Sequence, residues 1–181
     1  MLDRVKQLIE LIPPTIDVLF GAEIGVYKAE MSVELLKYYS NLCLLLVDGW
    51  VPYNGGDWTS NQNQQTFDLI KQEAIMKTAS WRNHCFIIDQ PSPAASLIIP
   101  NESLDFVFID GNHQYEAVLE DLEAWYPKVK TGKLLIGHDY VRSDGHTGVQ
   151  KAVMEFSDHL NLLHDTGKDT TWWIWKPCLN H

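Results

Sequence analysis

The chain has 181 residues, 45% of them hydrophobic and 21% charged, which is length and apolar content for one domain with its own core. Acidic residues outnumber basic ones, 24 to 14, and the formal net charge of −10 argues against a surface that tracks nucleic-acid phosphates or anionic lipid. No apolar run approaches a membrane span, and three scattered cysteines, Cys43, Cys85 and Cys178, are too few for a disulfide framework or a zinc site.

The N-terminal MLDRVKQLIELIPP reads as an amphipathic helix stopped by Pro13 and Pro14, without the apolar core of a signal peptide, so the expected compartment is the cytoplasm. A first strand is expected over Asp17 to Val26, then a helix from Ala29 to Tyr39 and a second strand from Leu42 to Asp48. Residues Gly49 to Gln65, rich in Gly, Asn, Gln and Trp, read as a loop. Its aromatic residues Trp50, Tyr53 and Trp58, with Asp57, suit stacking on a polyhydroxyl ligand if they are exposed, or clamp the loop if they are buried. A helix from Thr66 to Ser80 leads to the strand HCFIID, ending at Asp89, in which Cys85, like Cys43 before it, is expected to be a buried thiol. A short helix over Pro93 to Leu97 follows.

Two apolar runs, LDFVFID and KLLIGHD, then flank an amphipathic stretch with Val118, Leu119, Leu122 and Trp125 near helical period. This is a strand (Phe106 to Asp110), a crossover helix and a second strand (Lys133 to Gly137). Such strands run parallel, so their C-terminal ends share one edge of the sheet. Asp110, His113, His138 and Asp139 should converge there, on the edge where open α/β sheets bind ligands. A helix from Val149 to His159 comes next, and LNLLHD and TTWWIWK close the chain as a hairpin around TGKDT. Trp172, Trp173 and Trp175 read mainly as core and dimer surface, with Trp173 expected to face away from the other two, which leaves room for a homo-oligomer.

The expected fold is therefore one Rossmann-like, doubly wound α/β domain: a mostly parallel seven-stranded sheet with an antiparallel C-terminal hairpin strand. Residues 1–16 would form the N-terminal helix, 17–100 a cofactor half and 101–181 a substrate and catalytic half. The first strand ends in Glu23-Ile24-Gly25-Val26, with Ser32 and a helix N-terminus beyond. A dinucleotide loop needs G-x-G-x-x-G to admit a pyrophosphate, and here an acid stands where phosphate would be repelled. Such an acid suits a ligand ammonium, and Asp48, at the end of the second strand, suits two ribose hydroxyls. S-adenosylmethionine carries a nucleoside, a sulfonium and an ammonium, and no phosphate.

On AEIGVYKAEMS, LLLVDGW, the long segment Leu104 to Tyr140, GVQKAVMEF and TWWIWKP, the chain resembles the class I S-adenosylmethionine-dependent methyltransferases of the small "methyltransferase domain 24" type. The resemblance implies a methyl donor held by Glu23, Ile24, Gly25, Val26 and Ser32, with its ribose on Asp48 and Gly49, its adenine near Trp50, Asp89 and Ser92, and its methionine end at Asp110. Ala29 stands where the family usually has glycine, and Lys133 where it usually has a second glycine after Gly132. The pattern Asp-x-x-His followed by an acid at the next strand end resembles metal-dependent sugar O-methyltransferases and cephalosporin-hydroxylase-like relatives, in which an acidic pair ends the later strand; here that pair is His138-Asp139.

The expected activity is methyl transfer to oxygen of a small or sugar-like acceptor. His113 would act as general base beside Asp110 and Asp139, or Asp110, His138 and Asp139 would hold Mg2+ or Mn2+. His146 follows the later strand on a loop of a length able to reach the same edge, whereas His84, His159, His164 and His181 read as structural or exposed. Two alternatives stay open: a methyltransferase-fold enzyme of other chemistry, and a non-catalytic cofactor-binding module.

Overall fold

The computed structural model describes residues 1–53, 62–141, 145 and 147–178. Asp57, Trp58, His146 and His181 lie outside the described residues. The chain runs α1 (Asp3–Leu11), β1 (Leu19–Ile24), α2 (Glu30–Tyr38), β2 (Leu42–Asp48), α3 (Gln64–Thr78) and β3 (Cys85–Asp89). It continues through α4 (Ser92–Ser96), β4 (Leu104–Ile109), α5 (Tyr115–Trp125), β5 (Val129–Gly137), α6 (Gly148–His159), β6 (Asp165–Thr166) and β7 (Trp172–Trp175).

The strands form one seven-stranded sheet among the described residues, ordered β3-β2-β1-β4-β5-β7-β6. The first five are parallel; β7 enters antiparallel beside β5, and β6 pairs antiparallel with β7. The chain winds one way from β1 through β3 and the other way through β4 and β5. The switch point therefore lies between the C-terminal ends of β1 and β4, where such sheets open a crevice.

Strand period splits the core into two layers. Phe106, Phe108, Leu134 and Ile136 point into the layer capped by Val5 and Leu8 of α1, Leu35 of α2 and Phe67 of α3. Val107, Ile109 and Leu135 point the other way, onto Val118 and Leu122 of α5 and Val153 of α6. All six residues of β4 are buried, the continuous run expected of a central parallel strand covered on both faces.

The sheet departs from the sequence reading in its last third. LNLLHD does not form a strand: α6 runs to His159, Leu163 is exposed, and only Asp165–Thr166 pair with β7. Apolar residues there mimic strand composition but find no ladder. β5 begins four residues earlier than expected, at Val129, because Leu104 pairs with it ahead of an irregularity in the β4 ladder. Trp172 and Ile174 share the α5–α6 layer and Trp173 packs on the opposite one, so by strand parity Trp175 sides with Trp173 rather than with Trp172. Trp172 lies over Gly137, where a Cβ would come within 2.4 Å of the indole. Cys85 is buried as expected, Cys43 is only half-buried and Cys178 is exposed.

Candidate active site at the sheet switch point

Three ladder hydrogen bonds align the strand ends. Gly25 N donates to Val47 O at 2.9 Å, Asp110 N to Ile24 O at 2.8 Å and His138 N to Ile109 O at 3.1 Å. Gly25, Asp110 and His138 thus stand side by side along one edge. Gly25 has φ +86°, and a Cβ there would lie 2.3 Å from Asp110 O. Only glycine lets the loop after β1 press against the loop after β4 in this conformation. Ala29, the departure from the family's glycine, sits at φ +57°, a left-handed position that costs an alanine about 1 kcal/mol.

Above the switch point lies a cavity of about 640 Å³, within the range of small-ligand sites. Glu23, Ile24, Gly25, Val26, Asp48, Gly49, Trp50, Ser92, Asp110, His113, His138 and Asp139 line it, so twelve of the site residues expected from sequence come together here. Asp89 does not: it is exposed and paired with Lys71. Ser32 lies behind the wall, fully buried, where its Oγ donates to Glu23 Oε2 at 2.5 Å.

Each acid has a defined environment. Burial pushes the Glu23 carboxyl up to about 8, with the Ser32 hydrogen bond opposing. At neutral pH it is largely protonated, and a ligand cation beside it favours ionisation. Asp48 Oδ2 accepts from Val26 N and Tyr27 N, both at 2.9 Å, and Oδ1 accepts from Trp50 N at 2.7 Å. The Val26 and Tyr27 amides of the β1–α2 loop are thus spent on Asp48. Burial raises Asp48 above the usual carboxylate range despite those three bonds. One lone pair of Oδ1 stays available to a ligand donor. Trp50 is not an exposed stacking ring: it is 1% accessible, and its Nε1 donates to Tyr27 O at 2.9 Å. It clamps the loop.

At the other end of the cavity the loops after β4 and β5 gather charge. His113 Nε2 lies 3.1 Å from Asp139 Oδ2 and 3.8 Å from Asp110 Oδ1. His138 Nδ1 lies 3.3 Å from Asp139 Oδ2 and 3.8 Å from Asp110 Oδ1, and its Nε2 reaches Asp169 Oδ2 at 3.3 Å. Burial opposes charge on His113, but the Asp110 and Asp139 carboxylates outweigh it and raise the ring to about 9. His138 is raised for the same reason, with burial again opposing. Burial works against charge on Asp139 too, yet the two imidazoles hold it well below the carboxylate range. Asp139 also adopts φ +60°, braced by Thr170 Oγ1, which accepts from Asp139 N at 3.2 Å.

One donor atom each from Asp110, His113 and Asp139 lie within 4.8 Å of one another. Ligand atoms on a common octahedral ion with bonds of about 2.1 Å stand about 3–4.2 Å apart. The His113 contacts at 3.1 and 3.8 Å suit that spacing; the two carboxylates suit Mg2+ or Mn2+, whereas the imidazole favours a softer divalent ion. The clustered imidazole is His113, where the sequence reading named His138.

Among the lining residues that the sequence reading did not single out, two carry charge into the site's hydrogen-bonding and ionic network. Asp121 occupies the buried stripe of α5 with Val118, Leu122 and Trp125, at spacing i, i+3, i+4, i+7, so an acid on an apolar stripe was the missed signal. Ser92 Oγ donates to it and accepts from Trp125 Nε1 at 2.8 Å, and burial pushes the Asp121 carboxyl up to about 7. The other is Arg4 of α1, whose Nε lies 3.7 Å from Asp110 Oδ2. Nothing in a local helical pattern tells which edge of a sheet the helix will cover.

Solved structures similar to this one include methyltransferases of varied description, and their low identity shows the fold alone. Precorrin-6y C5,15-methyltransferase from Geobacter metallireducens GS-15 is 16% identical at TM-score 0.66, covering 96% of this chain and 87% of that one. The O-methyltransferase NovP is 14% identical at TM-score 0.65, covering 97% and 79%. A candidate rRNA methylase from Clostridium thermocellum is 11% identical at TM-score 0.71, covering 98% and 96%. No curated protein matches the sequence. A family described as a methyltransferase domain matches residues 22–140, which runs from the C-terminal half of β1 through β5 and takes in every strand end that meets at the cavity. With its Rossmann-like, largely parallel seven-stranded sheet and antiparallel closing strand, the chain belongs to that methyltransferase-domain family, in the class I fold.

Proposed function

We propose that the chain transfers a methyl group from S-adenosylmethionine to oxygen of a small or sugar-like acceptor. The observation that carries this reading is one cavity with two chemically different ends: Glu23, Gly25 and Asp48 at one, His113 and Asp139 at the other, with Asp110 between them, beside Gly25 and 3.8 Å from His113. Glu23 and Asp110 would face the donor's ammonium, and Asp48 a ribose hydroxyl. The donor, when bound, supplies an electrophilic methyl carbon; the rim residues would orient an acceptor hydroxyl and take up its proton. A net charge of −10 supports a small acceptor over an RNA. Among the described residues no helix is long and apolar enough to cross a membrane. The clustered rim acids favour an enzyme over a silent binding module, which has no use for two carboxylates and two imidazoles crowded together.

Calorimetry with S-adenosylhomocysteine tests the donor half. Asp48→Ala is expected to weaken binding by about 1–3 kcal/mol, both by removing a ligand acceptor and by leaving loop amides unsatisfied. A wild-type protein that binds NAD and ignores both sulfur nucleosides rejects the reading. The metal is a separate expectation. Methyl transfer to an acceptor found by screening should fall on chelation and return with Mg2+ or Mn2+; full activity in excess chelator leaves the rim acids as positioning groups alone.

A further inference from the structure

α1 lies outside the segment shared with the methyltransferase-domain family, yet it puts a side chain into the cavity. Two lysine or arginine side chains line that cavity among the described residues. Lys28 is committed to Glu73 at 3.1 Å. Arg4 is not so committed. Its Nε is shut off from solvent with no hydrogen-bond acceptor among the described residues, and the 3.7 Å to Asp110 Oδ2 is too long for one. A buried, unsatisfied charged donor is costly, and at a cavity wall it marks a place for a ligand acceptor.

The helix that carries it is held at several points. Val5 and Leu8 are fully buried, Leu2 N donates to Glu34 Oε2 at 2.6 Å, and Tyr39 Oη donates to Ile12 O at 2.5 Å. The helix that presents the guanidinium is therefore in place before any ligand arrives. Around the guanidinium stand acids: its charge acts on Glu23 as well as on Asp110. A cavity end with two carboxyl groups and one guanidinium complements a zwitterion, with an ammonium for the acids and a carboxylate for the arginine. It complements neither a plain amine nor a plain acid as well.

We infer that Arg4 is a specificity-determining residue that holds the α-carboxylate of the donor's methionine moiety, placed by a helix that lies ahead of the matched family segment. The inference rests on the proposed use of S-adenosylmethionine. A guanidinium suits the task because its fixed fork matches a carboxylate in two parallel hydrogen bonds, where an ammonium offers a point charge.

The test compares S-adenosylhomocysteine with its decarboxylated counterpart, which keeps the nucleoside, thioether and ammonium. Calorimetry on the full chain should show wild type preferring the carboxylate-bearing ligand by about 10–100-fold, the range of a charge-assisted hydrogen bond. Arg4→Gln should lose most of that preference while binding the decarboxylated ligand as wild type does, and Arg4→Lys should keep part of it. The decarboxylated ligand also reports whether the variant is folded. Should Arg4→Gln keep the full preference, or weaken both ligands equally, Arg4 only balances the neighbouring acids and the inference fails. A wild type that binds neither ligand rejects the donor itself, a different failure.

Discussion

His113→Ala is expected to lower turnover by about 10²–10⁴-fold, the contribution of a positioned general base, while S-adenosylhomocysteine binding stays nearly intact. The separation follows from position: His113 follows β4, whereas Glu23 and Asp48 end β1 and β2. The pH profile carries more information than the rate. The neutral ring is the base, and the carboxylates of Asp110 and Asp139, working against burial, raise it to about 9. Metal-free activity should therefore rise roughly tenfold per pH unit from neutrality and level off only near that value. A divalent cation among the carboxylates draws off their charge and moves the acid limb to lower pH. A metal held through His113 Nε2 takes the very lone pair a base needs, and the profile then loses its dependence on this ring. If His113→Ala keeps near-normal turnover with the same acid limb, proton removal belongs elsewhere on the rim. The same groups set a stability window. The raised His113 stabilises the fold fully below its unfolded value near 6.5, and that contribution is lost as pH climbs through about 9. The depressed Asp139 stabilises above its unfolded value near 3.8, and its contribution is lost as pH falls below that.

Trp172→Ala is expected to destabilise the fold by about 3–5 kcal/mol, at the upper end for a single side chain. The indole is fully buried in the α5–α6 layer and lies against Gly137, which has no side chain to fill the gap. Its Nε1 also donates to His138 O at 3.2 Å, so the substitution leaves that carbonyl without the indole as partner. Urea unfolding should show a lower midpoint at unchanged slope. Trp172→Phe, which keeps most of the volume but not the donor, should cost clearly less. Equal losses for the two variants would place the cost in the hydrogen bond rather than in the packing.

Both effects were partly readable in the sequence. The parallel sheet was legible because each parallel strand is a largely apolar run that ends at, or one residue before, an acid or glycine, and β2 matched over Leu42–Asp48. Strand parallelism then brought Asp110, His113, His138 and Asp139 to one edge with no knowledge of side-chain contacts. What the pattern could not show was which amides already satisfy an acid. Asp48 reads as a ribose ligand, yet in the fold it first ties down the Val26, Tyr27 and Trp50 amides. Trp50 reads equally as a stacking surface or a loop clamp, and its buried ring, on a left-handed backbone at φ +41°, decides for the clamp. LNLLHD has strand composition without a partner along most of its length, because pairing is decided by the neighbouring strand and not by the run itself. Arg4 was invisible for the same reason: docking is a property of two surfaces.

The turn between β6 and β7 binds the far end of the chain to its beginning. Asp169 meets His138, Thr170 braces Asp139, and Lys168 N donates to Gln7 Oε1 at 3.3 Å. The groups around the cavity therefore come from sequence positions as distant as Arg4 and Asp169. During synthesis the first helix, the central strands and most of the cavity wall leave the ribosome long before β7 can pair with β5. Until then β5 is an open sheet edge, and His138 and Asp139 lack their braces. Binding competence should accordingly arrive late and all at once, as a property of the closed sheet rather than of any segment of it.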